Sequence, residues 1–163
     1  MAVLEEPEVH LQQLEVEFMA ALDLRSRGKS DEARQKLENV LRVDPRLPEP
    51  RLEMARIYLE TQRLEDAETE AREALSLLQA GGQWVETVPE NVMLSLGWAL
   101  LGEILKQQAT TDEVVFGDPE VFRTLIRESQ AAFAKAHELD PDDTASLLNS
   151  KEMDDPEEPE DDA

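Results

Sequence analysis

"NVMLSLGWALLGEILKQ", residues 91–107, reads as one helix with an anomaly in its middle. Trp98, Leu101 and Leu105 recur at three and four residues, so they share one helix face. Gly102 stands directly beside them. A glycine inside a helix costs about 1 kcal/mol relative to alanine. Aromatic residues make up only 4% of the chain, and Trp98 is one of two tryptophans. A glycine kept beside such a residue implies a close approach by something packed against it.

The same helical spacing extends in both directions. Leu11, Leu14, Phe18, Ala21 and Leu22 lie on one face of a first helix that Pro7 and Glu8 open and Gly28 closes. Ser30 is the expected cap of a second helix, which buries Ala33, Leu37, Val40 and Leu41 and stops at Pro45. A third helix begins near Pro48 and carries Leu52, Ala55, Tyr58 and Leu59. A fourth buries Ala67, Ala71, Ala74, Leu75 and Leu78 and ends at Gly81 and Gly82. "QWVETVPE" is then a connector to the fifth helix, which holds the opening stretch. A polar loop over about 108–118 follows. Asp118 and Pro119 start a sixth helix with Phe122, Leu125, Ile126, Ala132, Phe133 and Ala136 on its inner face, ended by Asp140 and Pro141. Residues 144–149 add one short turn.

Six helices in three pairs call for a repeat test. A shift of 34 residues superimposes Ala21 on Ala55, Leu24 on Tyr58, Ala33 on Ala67, Val40 on Ala74 and Leu41 on Leu75. Ala33, Leu37, Val40 and Pro45 have offsets 0, 4, 7 and 12, and Ser129, Phe133, Ala136 and Pro141 repeat them. A helix–turn–helix unit of this period resembles the tetratricopeptide repeat. Trp98, Leu101, Gly102 and Leu105 are similar to that family's first-helix motif, with Leu105 where a tyrosine is usual. The resemblance implies an all-α fold: three antiparallel helix pairs stacked as a short right-handed α-solenoid. Repeats are expected over about 14–47, 48–82 and 91–141, within a helical domain spanning 8–149. Ala21, Ala33, Ala55, Tyr58, Ala67, Trp98, Leu101, Gly102, Phe133 and Ala136 are its packing positions, with Pro45 and Pro141 as helix stops. The third repeat is divergent. From Ala55 to Gly102 is 47 residues, and from Gly102 to Ser129 is 27 where the first two repeats have 12. Insertions near 80–90 and 108–118 absorb the difference.

The net charge is −22. Residues 150–163 hold eight acids and one lysine, read as a disordered tail after a lead of residues 1–7. The rest of the chain is acidic too, which disfavours nucleic acid and anionic membrane. There are no cysteines, so disulfides, thiol catalysis and cysteine-ligated zinc are excluded. No basic leader and no span of 18 apolar residues is present, giving the expectation of a cytoplasmic protein without membrane insertion. The two histidines, His10 and His137, form no metal or nucleophile motif, and His137 suits the negative end of its helix. "DPDDT" at 140–144 lacks the glycine and the terminal acid of a calcium loop. No enzyme, cofactor or metal is expected.

What remains is a binding surface for a protein or peptide. The resemblance places a concave groove on the first helices of the pairs. Glu15, Phe18, Leu22 and Arg25 fall there, then Glu49, Leu52, Arg56 and Leu59, then Leu96, Ala99, Glu103 and Lys106. The family's chaperone-tail clamp would need basic and amide residues where this chain has Phe18, Leu22, Glu53, Leu96 and Leu100, so that ligand is not expected. Phe18, Leu22 and Leu52 could instead pack under the lead or an insertion. Trp84 and Phe116 read either as packing residues or as anchors for a partner. An interaction adaptor or scaffold is the leading expectation. A small acidic chaperone for an apolar client segment is second. A self-assembling subunit is third, because an uncovered last helix would favour a homodimer.

Overall fold

A computed structural model describes residues 7–151, with side chains from Leu11 onward. Within them run eight helices: α1 (Pro7–Ser26), α2 (Ser30–Val43), α3 (Pro48–Glu60), α4 (Leu64–Gln79), α5 (Glu90–Ala109), α6 (Asp112–Val115), α7 (Pro119–Leu139) and α8 (Thr144–Asn149). The expected acidic tail lies outside the described residues beyond Lys151, and the lead lies outside them before Pro7.

α1, α3 and α4 end in one and the same chain reversal. After α1, the Gly28 N–H bonds the Arg25 carbonyl at 3.0 Å and the Lys29 N–H bonds the Leu24 carbonyl at 2.9 Å, with Gly28 at φ +76°. After α3, Gln62 and Arg63 bond Leu59 and Tyr58 at 3.2 and 2.8 Å, with Gln62 at φ +63°. After α4, Gly81 and Gly82 bond Leu78 and Leu77 at 3.0 and 2.9 Å. This double bond to orphan carbonyls needs a left-handed residue, ordinarily glycine. Gln62 stands 34 residues after Gly28 and takes the same conformation without glycine's freedom.

The reversals also decide where the next helix begins. Lys29, not Ser30, is the N-cap of α2, and its carbonyl already accepts the Ala33 N–H at 3.0 Å. Ser30 therefore enters the helix as its first residue and makes no capping bond. Arg63 and Ala67 repeat the arrangement at 3.0 Å before α4. α2 and α7 share another device. Each ends at an Asp–Pro step, where Asp44 Oδ1 accepts the Arg46 N–H at 3.0 Å and Asp140 Oδ1 accepts the Asp142 N–H at 3.2 Å. At the start of α7 the Asp118 side chain accepts the Glu120 N–H, as its sequence indicates.

Packing follows the chain. α1 pairs with α2, α3 with α4, and α5 with α7, while α2 meets α3 and α4 meets α5 between pairs. Ala33, Ala55, Ala67, Ala71, Ala74 and Ala136 are fully sealed, so small residues set the close helix spacing. Gly102 belongs to the same logic. A Cβ there would stand 2.9–3.0 Å from three ring atoms of Phe133 on α7. Two buried hydroxyls fasten this pair: Ser129 Oγ donates to the Gly102 carbonyl and Ser95 Oγ to the Ala136 carbonyl, each at 2.8 Å.

The expected loop at 108–118 is shorter and partly helical. α5 runs on to the sealed Ala109, and α6 forms one turn because the Thr111 carbonyl accepts the Val114 and Val115 N–H groups at 3.1 and 2.9 Å. The expected sixth helix is accordingly α7. At the far end, α8 packs on α7, and His137 Nδ1 lies 3.0 Å from the Asp143 carbonyl. That contact ties the α7–α8 turn, a more specific role than a favourable dipole. Among the described residues no helix is long and apolar enough to cross a membrane.

Candidate protein-binding groove

α3 lies between α1 and α5 and touches both. Its residues at helical spacing, Arg56, Leu59 and Glu60, face Leu96, Ala99, Leu100 and Glu103 of α5 across a depression of about 290 Å³. Arg56, Leu59, Leu96, Ala99 and Glu103 were all expected to share this surface, and the fold brings them together. Leu96 is 42% exposed, an apolar side chain open to solvent at the rim.

Other expected groove residues lie elsewhere. Phe18 and Leu52 are 6% and 4% exposed and belong to the core rather than to an open floor. Leu52 reaches toward Gly97 of α5, and Phe18 meets Trp84 with ring centroids 5.6 Å apart. Leu22 is half-buried against the same core, while Glu15 stays exposed. Lys106 turns its ammonium to the Asn149 side chain of α8 at 3.1 Å, away from the depression.

The cause is the connector after α4. Glu49, 3% exposed in the first turn of α3, accepts the Trp84 N–H through both carboxylate oxygens at 3.0 and 2.9 Å and the Val85 N–H at 2.8 Å. Gln83 Nε2 donates to the Val85 and Val88 carbonyls, each at 2.7 Å, and so curls the segment on itself. Trp84 seats among Leu14, Val40 and Leu47 as well as Phe18. Residues 83–88 thus cover the Leu14–Phe18 stretch of α1 and leave the depression between α3 and α5 open. Periodicity alone could not find Glu49 in this role, because a carboxylate in a first helical turn is already explained by the helix dipole. Its place between Pro48 and Pro50 was the only local signal.

The groove's cations are internally committed. Arg25 Nε lies 2.9 Å from Glu53 Oε2, and Arg25 Nη1 lies 3.2 Å from Glu60 Oε1. Arg56 Nε lies 3.4 Å from the other Glu53 oxygen. Glu103 accepts a hydrogen bond from Gln107 at 3.2 Å and has no cation within ion-pair distance among the described residues.

The opposite side of α5 carries a second depression of about 360 Å³ between α4 and α7, floored by Trp98, Leu101, Leu105 and Ala132. Arg72 bridges it, reaching Glu68 at 2.8 Å and Glu128 at 3.6 Å. Burial acts to raise the Glu68 pKa, but hydrogen bonds from Arg72 and Gln108 outweigh it and hold the carboxyl below its ordinary range. Phe116, 85% exposed after α6, packs on nothing that seals it. Among the described residues no three His, Cys, Asp or Glu side chains are grouped to hold a metal ion.

No curated protein matches the chain. Residues 24–84, from the end of α1 through Trp84, match the sequence model of the tetratricopeptide repeat family. That span contains the α1–α2 and α3–α4 reversals 34 residues apart and the sealed alanines of α2, α3 and α4, so this part of the chain is similar to tetratricopeptide repeats.

Proposed function

We propose that this chain is a non-catalytic interaction module whose open half-groove, between α3 and α5, holds a peptide or helix of a partner protein. Repeats of this family generally mediate protein–protein contacts, and the observation that favours this surface is the exposed apolar rim at Leu96 over a floor of Leu59, Ala99 and Leu100. Such a concave apolar strip with a few charges suits an amphipathic segment with hydrophobic anchors. The working unit is the helical domain of residues 8–149, with repeats over about 14–47, 48–82 and 91–141, acting as an adaptor or scaffold.

The test is a tagged pull-down with mass spectrometry, comparing wild type with Leu96→Glu and with Glu73→Gln on the outer face of α4. Leu96 is solvent-exposed, so its variant should keep the helical circular dichroism of wild type. A partner retained by wild type and Glu73→Gln but lost by Leu96→Glu supports the half-groove. A partner retained equally by all three would refute it.

A further inference from the structure

The charges around the half-groove say what kind of segment fits it, an inference that rests on the groove reading above. Each groove arginine already faces a carboxylate: Arg25 is held by Glu53 and Glu60, and Arg56 by Glu53. An incoming acid would have to displace these pairs. Glu103 is different. It lies on the groove wall next to Ala99 and Leu100, one turn from Lys106, yet Lys106 points to Asn149. Its carboxylate is half-buried and lacks a cationic partner among the described residues. The charge left uncompensated at this surface is therefore negative, within a chain of net charge −22.

We propose that the occupant is a segment of a partner protein that seats an aliphatic side chain on Leu59, Leu96 and Leu100 and sets a lysine or arginine of its next turn against Glu103. The anchor supplies apolar burial, and the cation fixes direction and register, because only one orientation brings it to Glu103. Acidic peptides are excluded by the same arrangement.

The experiment uses the full chain, labelled with ¹⁵N, and three twelve-residue helical peptides. All carry leucines at helical spacing on one face; the other face carries lysine, glutamine or glutamate. The lysine peptide should bind most tightly and shift the amide signals of Leu59, Leu96, Ala99 and Glu103. Glu103→Gln should weaken it about threefold to fivefold, the range of a partly exposed ion pair, while Glu73→Gln, the same charge change on α4, leaves Kd within experimental scatter. Preference for the glutamine or glutamate peptide at the same amides would overturn the cation assignment while leaving the groove reading intact. Lysine-peptide shifts spread over α4 and α7, or an equal effect of the two variants, would show mere attraction to an acidic surface and overturn it as well. If none of the three peptides moves a groove amide, both the cation assignment and the groove reading fail.

Discussion

Replacing Gly102 by alanine separates two opposed effects of known size. Helix propensity favours the alanine by about 1 kcal/mol. Against it stands the Phe133 ring, whose Cγ, Cδ2 and Cε2 atoms would lie 2.9–3.0 Å from the new methyl group. The ring is rigid and only 3% exposed, so it cannot swing aside as the end of an aliphatic chain can. Overpacking of this kind costs about 1–3 kcal/mol. Separating α5 from α7 would also lengthen the buried Ser129–Gly102 hydrogen bond of 2.8 Å, which contributes about 1 kcal/mol. The net expectation is a loss of about 2 kcal/mol, or about 4–8 °C in Tm for a chain of this size. Urea and thermal unfolding followed by circular dichroism measure it. Gly97→Ala is the internal comparison: there the close atom is Leu75 Cδ2, the free end of a flexible side chain, at 2.8 Å. That variant should lose at least 1 kcal/mol less, within the range of tolerated core changes. Phe133→Leu combined with Gly102→Ala should be less damaging than the two single losses summed, since the clash is shared. Stabilisation by Gly102→Ala near the full propensity value would refute the close-approach account.

Other expectations can be measured on the same chain. Gln62→Gly should stabilise by about 0.5–1 kcal/mol in urea unfolding, because Gln62 occupies a left-handed position at φ +63°. Glu49→Ala orphans the buried Trp84 and Val85 N–H groups and should cost about 2–4 kcal/mol, with faster hydrogen exchange at those two amides than elsewhere in the connector. Tyr58 is the single tyrosine, and burial raises its pKa above the ordinary 10.0 although Arg63, 4.5 Å over its ring, opposes the shift. The folded chain thus holds the phenol proton more tightly than the unfolded one. Stability is full below pH 10.0 and falls as pH rises toward and through the raised value, and absorbance at 295 nm should show tyrosinate appearing later in native protein than in urea.

The fold was largely legible because its spacing is written in small residues. Ala21, Ala33, Ala55 and Ala67 recur at fixed intervals, and Gly102 marks a close helix approach. The α3–α4 reversal was harder to read, since Gln62 takes a conformation normally advertised by glycine. Ser30 looked like a cap, but the reversal puts Lys29 at the N-cap position and Ser30 one residue further on, inside the helix. For the groove, helical periodicity told which residues share a face and not what covers that face. Phe18 and Leu52 have the spacing of a groove floor, and a non-local strap and the neighbouring α5 bury them. Arg56, Leu59, Leu96, Ala99 and Glu103 were legible as one surface because the inserted connector does not line the depression between α3 and α5. Glu60, which completes the wall, was passed over because its ion pair with Arg25 depends on how α1 meets α3.

The most direct test of the half-groove is site-specific photo-cross-linking in cells, with benzoylphenylalanine replacing Leu96 on α5 or Glu73 on α4. The account predicts a discrete cross-linked partner from position 96 and none from position 73. Cross-links to that partner from position 73 alone, or from both positions equally, would contradict the assignment of binding to the surface between α3 and α5.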